Sequence, residues 1–202
     1  MIVNSKRKNR IEKFFDKSHD SVVYEHNSLL DSNLSMDKIK ERLKALIKEV
    51  PLYFDTYLSL AEIYNLEGNL SSAKNLIRKG YQLAIRRIVN QKGEFPKQME
   101  WSWINNRHII RIIDHWAYLL WCDGKEKKAL KIFRNLFKSN PSDNIGARFD
   151  ILAIRLGLEP DYELEFMSLL GGYIDAIELT EWFEINAKSF PEEFDWWFEI
   201  YE

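Results

Sequence analysis

The sequence predicts an all-α fold built from antiparallel helix pairs. Apolar residues recur at spacings of three and four along most of the chain, glycines stand in the reversals between those periodic segments, and two of the resulting pairs share one internal spacing. No segment has the alternation of a convincing strand. With 202 residues, 46% of them hydrophobic and 14% aromatic, the chain has the composition of one folded unit that buries roughly 70% of its unfolded surface.

Residues 1–35 read as a basic N-terminal extension with a partial helix. From Met36 to Val50, the residues Met36, Ile39, Leu43, Leu46, Ile47 and Val50 make one apolar stripe, Lys38, Arg42, Lys44 and Lys48 face the other way, and Pro51 ends the helix. The next helices span about Phe54 to Leu66 and Ser71 to Ile88, joined through Gly68, which permits a tight reversal. A second hairpin follows, from about Asn106 to Cys122 and from Lys125 to Ser139, with Gly124 in its turn. Asp143 to Gly157 reads as a further helix, and shorter ones are expected at Tyr162 to Leu170, Ile174 to Ala187 and Pro191 to Tyr201. Three regions result: the extension, helix pairs over 36–158 with an insertion at 91–107, and an acidic, aromatic-rich set of capping helices over 159–202.

The two hairpins repeat each other. Tyr57, Leu60, Ala61 and Tyr64 precede Ala73, Ile77 and Gly80 with the spacing by which Ile113, Trp116, Ala117 and Leu120 precede Ala129, Phe133 and Leu136. Ile39, Leu43, Leu46 and Pro51 stand one 34-residue period before Ala73, Ile77, Gly80 and Ile85. This pattern resembles the tetratricopeptide repeat, with Ala61, Ala73, Ala117 and Ala129 as the small residues at close helix crossings. Ala73 and Ala129 are 56 residues apart, so MEWSWINNRHIIR closes an insertion of 22 residues beyond one period. Asn106, Arg107 and Arg111, with Asn140, Pro141, Asp143, Asn144, Gly146 and Arg148, resemble a subset of these proteins that carries an Asn-Arg-x-x-x-Arg segment and an Asn-Pro-x-Asp-Asn-x-Gly-x-Arg motif. His108 departs from that pattern, where a proline is usual. The resemblance implies a right-handed superhelix (a solenoid) and no enzymatic activity.

Charge is unevenly placed. Residues 158–202 carry 13 acids against one base, Lys188, while residues 1–157 carry 28 bases against 18 acids, all within a formal net charge of −2. A basic body attracts acidic partners, and an acidic end repels them or covers the basic surface. The one cysteine, Cys122, cannot close an internal disulfide and points to a reducing compartment, hence to the cytoplasm. MIVNSKRKNR has no apolar stretch of signal-peptide length, and no apolar run approaches the roughly 20 residues that span a bilayer, so no membrane partner is expected.

Catalytic chemistry finds no support in the residue pattern. Cys122 and His115 are seven apart with no base or oxyanion site to complete them, and no phosphate loop, dinucleotide fingerprint or serine elbow is present. His19 with His26, and His108 with His115, are also spaced by seven, but neither pair gathers the three or four ligands of a metal site. The expectation is a non-catalytic module with no catalytic residue, metal or cofactor.

Under the resemblance, the first helix of each pair lines a concave groove that takes a peptide or protein segment. The residues expected there are Glu62, Asn65, Arg107, Arg111, Asp114, Tyr118, Trp121, Arg148 and Arg155. Arg107, Arg111 and Arg148 can converge on a carboxylate or phosphate, or pair with Asp114, Asp143 or Glu100 to fix loops. Trp101 and Trp103 either anchor the insertion or stack on a ligand. The alternative partner is nucleic acid, met by the basic helix faces that hold Lys38, Arg42, Lys44, Lys125, Lys127, Lys128 and Lys131. In the last helix, Phe190, Phe194, Trp197 and Tyr201 form one stripe, while Trp196 and Ile200 form a second that makes a homodimer contact unless a broad cap buries both.

Overall fold

The computed structural model describes residues 12–168 and 171–201. Among them are nine α-helices: α1 (Asp20–Leu30), α2 (Met36–Glu49), α3 (Asp55–Leu66), α4 (Leu70–Ile88), α5 (Arg107–Cys122), α6 (Glu126–Ser139), α7 (Ala147–Leu156), α8 (Ala176–Asn186) and α9 (Pro191–Tyr201). Short 3-10 turns occupy Ile104–Asn106, Tyr162–Phe166 and Ala187–Ser189. Extended pairing among the described residues is confined to isolated bridges, Lys13 with Gln98 and Met167 with Ile174. The chain is therefore all-helical, and α3 packs on α4 as α5 packs on α6, with α2–α3, α4–α5 and α6–α7 joining the pairs in sequence order.

The repeat positions account for this packing. Tyr57, Leu60, Ala61, Ala73 and Ile77 of the first hairpin are buried, as are Ile113, Ala117, Leu120, Ala129, Phe133 and Leu136 of the second. Gly68 and Gly124 hold positive φ angles of 75° and 67° in the two reversals, which a side chain would strain. Asn69 caps α4 by accepting the Ser72 N–H at 3.2 Å. At Gly80 the fit is closest, because an added Cβ would lie 3.0 Å from Ile112 Cγ1, so α4 approaches α5 only without one.

The insertion is tied at both ends. The Met99 N–H donates to the Ser139 carbonyl at 2.7 Å, and the Trp101 N–H to Asn140 Oδ1 at 3.0 Å, which fastens the segment across the C-terminus of α6. Its other face receives residues 12–16: Phe14 N–H donates to the Gln98 carbonyl, Asn106 Nδ2 to the Phe14 carbonyl, and Asp16 N–H to Asn106 Oδ1. The Asn-Arg segment and the Asn-Pro motif thus contribute Asn106 and Asn140 as buried backbone ties.

Two sequence expectations change. The helix expected from Asp143 starts instead at Ala147, because Asp143 sits at φ 46° and uses its carboxylate to accept the Ala147 and Arg148 N–H groups. The helix expected over Tyr162 to Leu170 is a 3-10 turn ending at Phe166, since the chain reverses there: Ser168 N–H donates to the Tyr173 carbonyl and Asp175 N–H to the Phe166 carbonyl. Leu169 and Leu170, residues 1–11 of the basic extension, the Tyr201 side chain and Glu202 lie outside the described residues. At the far end α9 folds back, with Phe194 fully buried 5.1 Å from the Phe183 ring.

Candidate functional site

Two adjoining cavities lie along the face made by α3, α5 and α7, and they share Asp114 and His115. The first, about 430 Å³, is lined by Leu58, Ser59, Glu62 and Asn65 of α3 and by Arg111 of α5. The second, about 560 Å³, lies between α5 and α7 and is lined by Tyr118, Asp150, Asp161 and Glu163, with Ile145, Leu164 and Ile174 as apolar walls. Glu62, Asn65, Arg111, Asp114 and Tyr118 therefore line one or both of these cavities.

The remaining expected groove residues serve the chain's own packing. Trp121 is 3% exposed and packs on Tyr162, where the 3-10 turn covers the end of α5, so it offers no surface to a partner. Arg148 donates to Asp143 at 3.0 Å and lies over the rings of Phe149, Phe183 and Trp197. Arg155 donates to Glu193 at 2.6 Å and to Glu192 at 2.7 Å, and Arg134 pairs with the same Glu193. Burial alone would raise the Glu193 carboxyl, but the two arginines outweigh it and hold it below its ordinary value. The acidic end of the chain thus neutralises part of the basic body. Arg107 donates to the Trp101 carbonyl at 3.0 Å and stacks over that indole, and Arg111 pairs with Asp55 at 2.5 Å. The three motif arginines do not converge on one anion, because each has an acceptor of its own.

Trp101 and Trp103 belong to the insertion's anchorage. Trp101 carries Arg107 and Arg111 on its face, and Trp103 Nε1 donates to the Asp16 carbonyl at 3.1 Å while its ring meets Phe15 edge-on. In α9, Trp196 packs 4.9 Å from the Phe137 ring and donates to the Glu193 carbonyl, so this half of the expected self-association stripe is covered from within. Ile200 remains 59% exposed.

With the arginines spoken for, the groove is acidic. Asp114 Oδ1 is buried with no hydrogen-bond partner, and Asp150 accepts only the Tyr162 hydroxyl, at 3.3 Å, among the described side chains. Neither of them, nor Asp161 or Glu163, is in an ion pair with a described residue. Burial, then the neighbouring Asp143 and Glu163, push the Asp114 carboxyl up to about 8. Burial and Asp114 raise Asp150 in the same direction. Burial lowers His115, which is thereby neutral near pH 7. Asp150 was not among the residues expected, although it stands three places before Ala153 as Asp114 stands three before Ala117.

A second cluster lies at the insertion. Asp16, His19 and His108 are buried with one donor atom each inside a 4.8 Å circle, a grouping across the chain that the seven-residue spacings did not suggest. Asp16 Oδ2 meets His19 Nε2 at 3.0 Å and His108 Nε2 at 3.1 Å, and Arg87 Nε donates to Oδ1 at 2.7 Å. Proton bookkeeping decides its chemistry. His108 Nδ1 accepts the Phe54 N–H at 3.2 Å, so the neutral ring carries its proton on Nε2 and donates it to Asp16. Coordination through that Nε2 would require an imidazolate. The set is better suited to hold a carboxylate than a cation: burial alone would raise Asp16, yet His108, Arg87 and His19 together hold it well below the usual carboxylate range.

No helix among the described residues is long and apolar enough to cross a membrane. No protein-family model, curated protein or solved structure matches the chain.

Proposed function

We propose that this protein is a non-catalytic, tetratricopeptide-like interaction module of the cytoplasm, a right-handed superhelix whose concave face, formed by α3, α5 and α7, binds an extended peptide or protein segment. The observation that carries this reading is the pair of adjoining cavities on that one face, together about the size of a peptide-binding cleft, each with a few polar groups set among apolar walls. Shape, an apolar lining at Leu58, Ile145 and Ile174, and polar side chains on a rigid helical frame are what a groove needs to fix a peptide's register. The basic faces favour nucleic acid less: Arg42 is tied to Glu25 and Glu49, Lys74 and Lys125 share Asp123, and unpaired carboxylates in the groove repel phosphate.

Selection of random twelve-residue peptides on the whole chain tests the reading. Selected peptides are expected to lose at least tenfold in affinity when Asn65 and Tyr118 are both replaced by alanine, with an unchanged melting temperature. Peptides indifferent to that double variant, or displaced by a single-stranded oligonucleotide with a steep salt dependence, would overturn it.

A further inference from the structure

The sequence leaves two readings for Arg107, Arg111 and Arg148, convergence on an anion or pairing with acids of the chain itself. The structure gives each of those arginines an acceptor of its own, with Asp55 holding Arg111 at the wall of the first cavity, and, among the described residues, leaves the carboxylates that line the second cavity without a cation beside them. Resting on the peptide-groove reading above, we propose that the cavity between α5 and α7 is a pocket for a cationic side chain, an arginine or lysine of the bound segment.

The pocket has the parts such a side chain needs. Asp114 and Asp150 stand on opposite walls, α5 and α7, and Asp161 and Glu163 come from the 3-10 turn region at its mouth. The second and independent sign is that Asp114, a residue of the cavity wall, has in its Oδ1 a buried acceptor with nothing to accept from. An acceptor in that state costs about 1–3 kcal/mol, which a donor brought by a ligand would return. Ile145, Leu164 and Ile174 supply an apolar channel for a three- or four-carbon stem, the part of arginine and lysine that packs while the head stays polar. The half-exposed Tyr118 ring adds a face for a cation. His115, neutral near pH 7, does not compete as an internal cation.

Electrostatics sets a pH signature. The groups that face Asp114 are Glu62 on α3, Arg111 and His115 on α5, Asp143 in the loop before α7, Asp150 on α7, and Tyr162 and Glu163 in the 3-10 turn. Arg111, the one cation among them, is already held by Asp55. The empty pocket therefore keeps a proton on its carboxylates, and an entering cation expels it. Binding tightens as pH rises toward 8 and levels off above it.

The test is a titration of the 15N-labelled whole chain with N-acetyl-arginine methylamide, its lysine counterpart, and the neutral isostere N-acetyl-citrulline methylamide, followed by amide shifts. The two cationic probes are expected to give saturable shifts at His115, Tyr118, Asp150 and Ile174, at least tenfold tighter than citrulline and several-fold tighter at pH 8 than at pH 6. D114N/D150N should abolish them, and E163Q, at the exposed mouth, should weaken them a few-fold without touching the core. Equal binding of citrulline, or full binding by both variants, overturns the proposal, as does Mg2+ or Ca2+ saturating the same amides at lower concentration than either cationic probe. Selected peptides that bind the groove without a basic residue would sink this inference and leave the groove reading intact. Arginine binding in the pocket by a chain that selects no peptide would do the reverse.

Discussion

Replacing Phe194 by alanine tests how α9 closes the fold. Its ring is fully buried between Phe183, 5.1 Å away, and Phe137, 6.3 Å away, with Trp197 alongside. Truncating a buried phenylalanine costs roughly 3–5 kcal/mol in lost transfer and a residual cavity. Each kcal/mol lowers the midpoint of a domain of this size by about 2–4 °C, so the expected fall is on the order of 10 °C. Glu193, one residue earlier, keeps its bonds to Arg134 and Arg155, which localises the effect to the ring. The measurements are a thermal melt by circular dichroism and a molar mass by light scattering. Ile200→Ala, at a 59% exposed site, serves as the comparison and should move the midpoint by no more than about 1–2 °C. A Phe194→Ala midpoint within 2 °C of the parent would refute the docking. A mass that halves on Ile200→Ala would show the second stripe to be a dimer contact after all.

Two further outcomes follow from the charged clusters. Asp16→Asn leaves Arg87 without its anion and is expected to cost about 3 kcal/mol in urea unfolding at pH 7; because the native Asp16 carboxyl is depressed, its contribution is present above about pH 4 and is lost as pH falls further, so the difference from the parent should shrink at pH 3, and an equal difference at both pH values would remove the charge from the account. Asp114→Asn should do the opposite. The folded chain holds a proton on Asp114 that the unfolded chain releases above the ordinary aspartate value of 3.8, so native stability falls between about pH 4 and pH 8. The variant is therefore expected to gain about 1–3 kcal/mol over the parent at pH 8 and little at pH 4, and a loss at pH 8 would show that the carboxylate is satisfied in a way the structure does not contain.

What could be read from the sequence was what local periodicity controls. The stripe Ile39, Leu43, Leu46 and Ile47, the turn glycines Gly68 and Gly124, and the alanines at the crossings gave helices and partners close to those observed, because helical spacing, reversal and burial depend on residues a turn or two apart. Pairings between distant segments were not accessible. His19 was set against His26 because they share a helical spacing, whereas its partner is Asp16 and its neighbouring ring is His108, 5.1 Å away across the insertion. Trp121 looked exposed because the small-residue spacing leaves it between packing positions, and only the return of residues 162–166 over α5 buries it. Which of the two readings of the arginines holds was inaccessible for the same reason: Arg111 of α5 meets Asp55 of α3, 56 residues earlier, while Asp114 Oδ1, three residues on, has no partner.

That asymmetry bears on where the function lies. Within one chain, Arg87, Arg107, Arg111, Arg134, Arg148 and Arg155 all find acceptors, several of them buried carboxylates. Lys and Arg are nearly equal in number to Asp and Glu, so Asp114 and Asp150 do not lack a cation through shortage. The repulsion between Asp114 and Asp150, on facing walls, falls in the cavity between α5 and α7, whose lining, among the described residues, holds no arginine or lysine. A buried acceptor with no partner calls for an explanation, and a ligand that donates to it is one. On the proposed reading a basic side chain of an extended segment supplies that donor and packs its stem against Ile145, Leu164 and Ile174, which suits this cavity better than the phosphate or carboxylate that converging arginines would take.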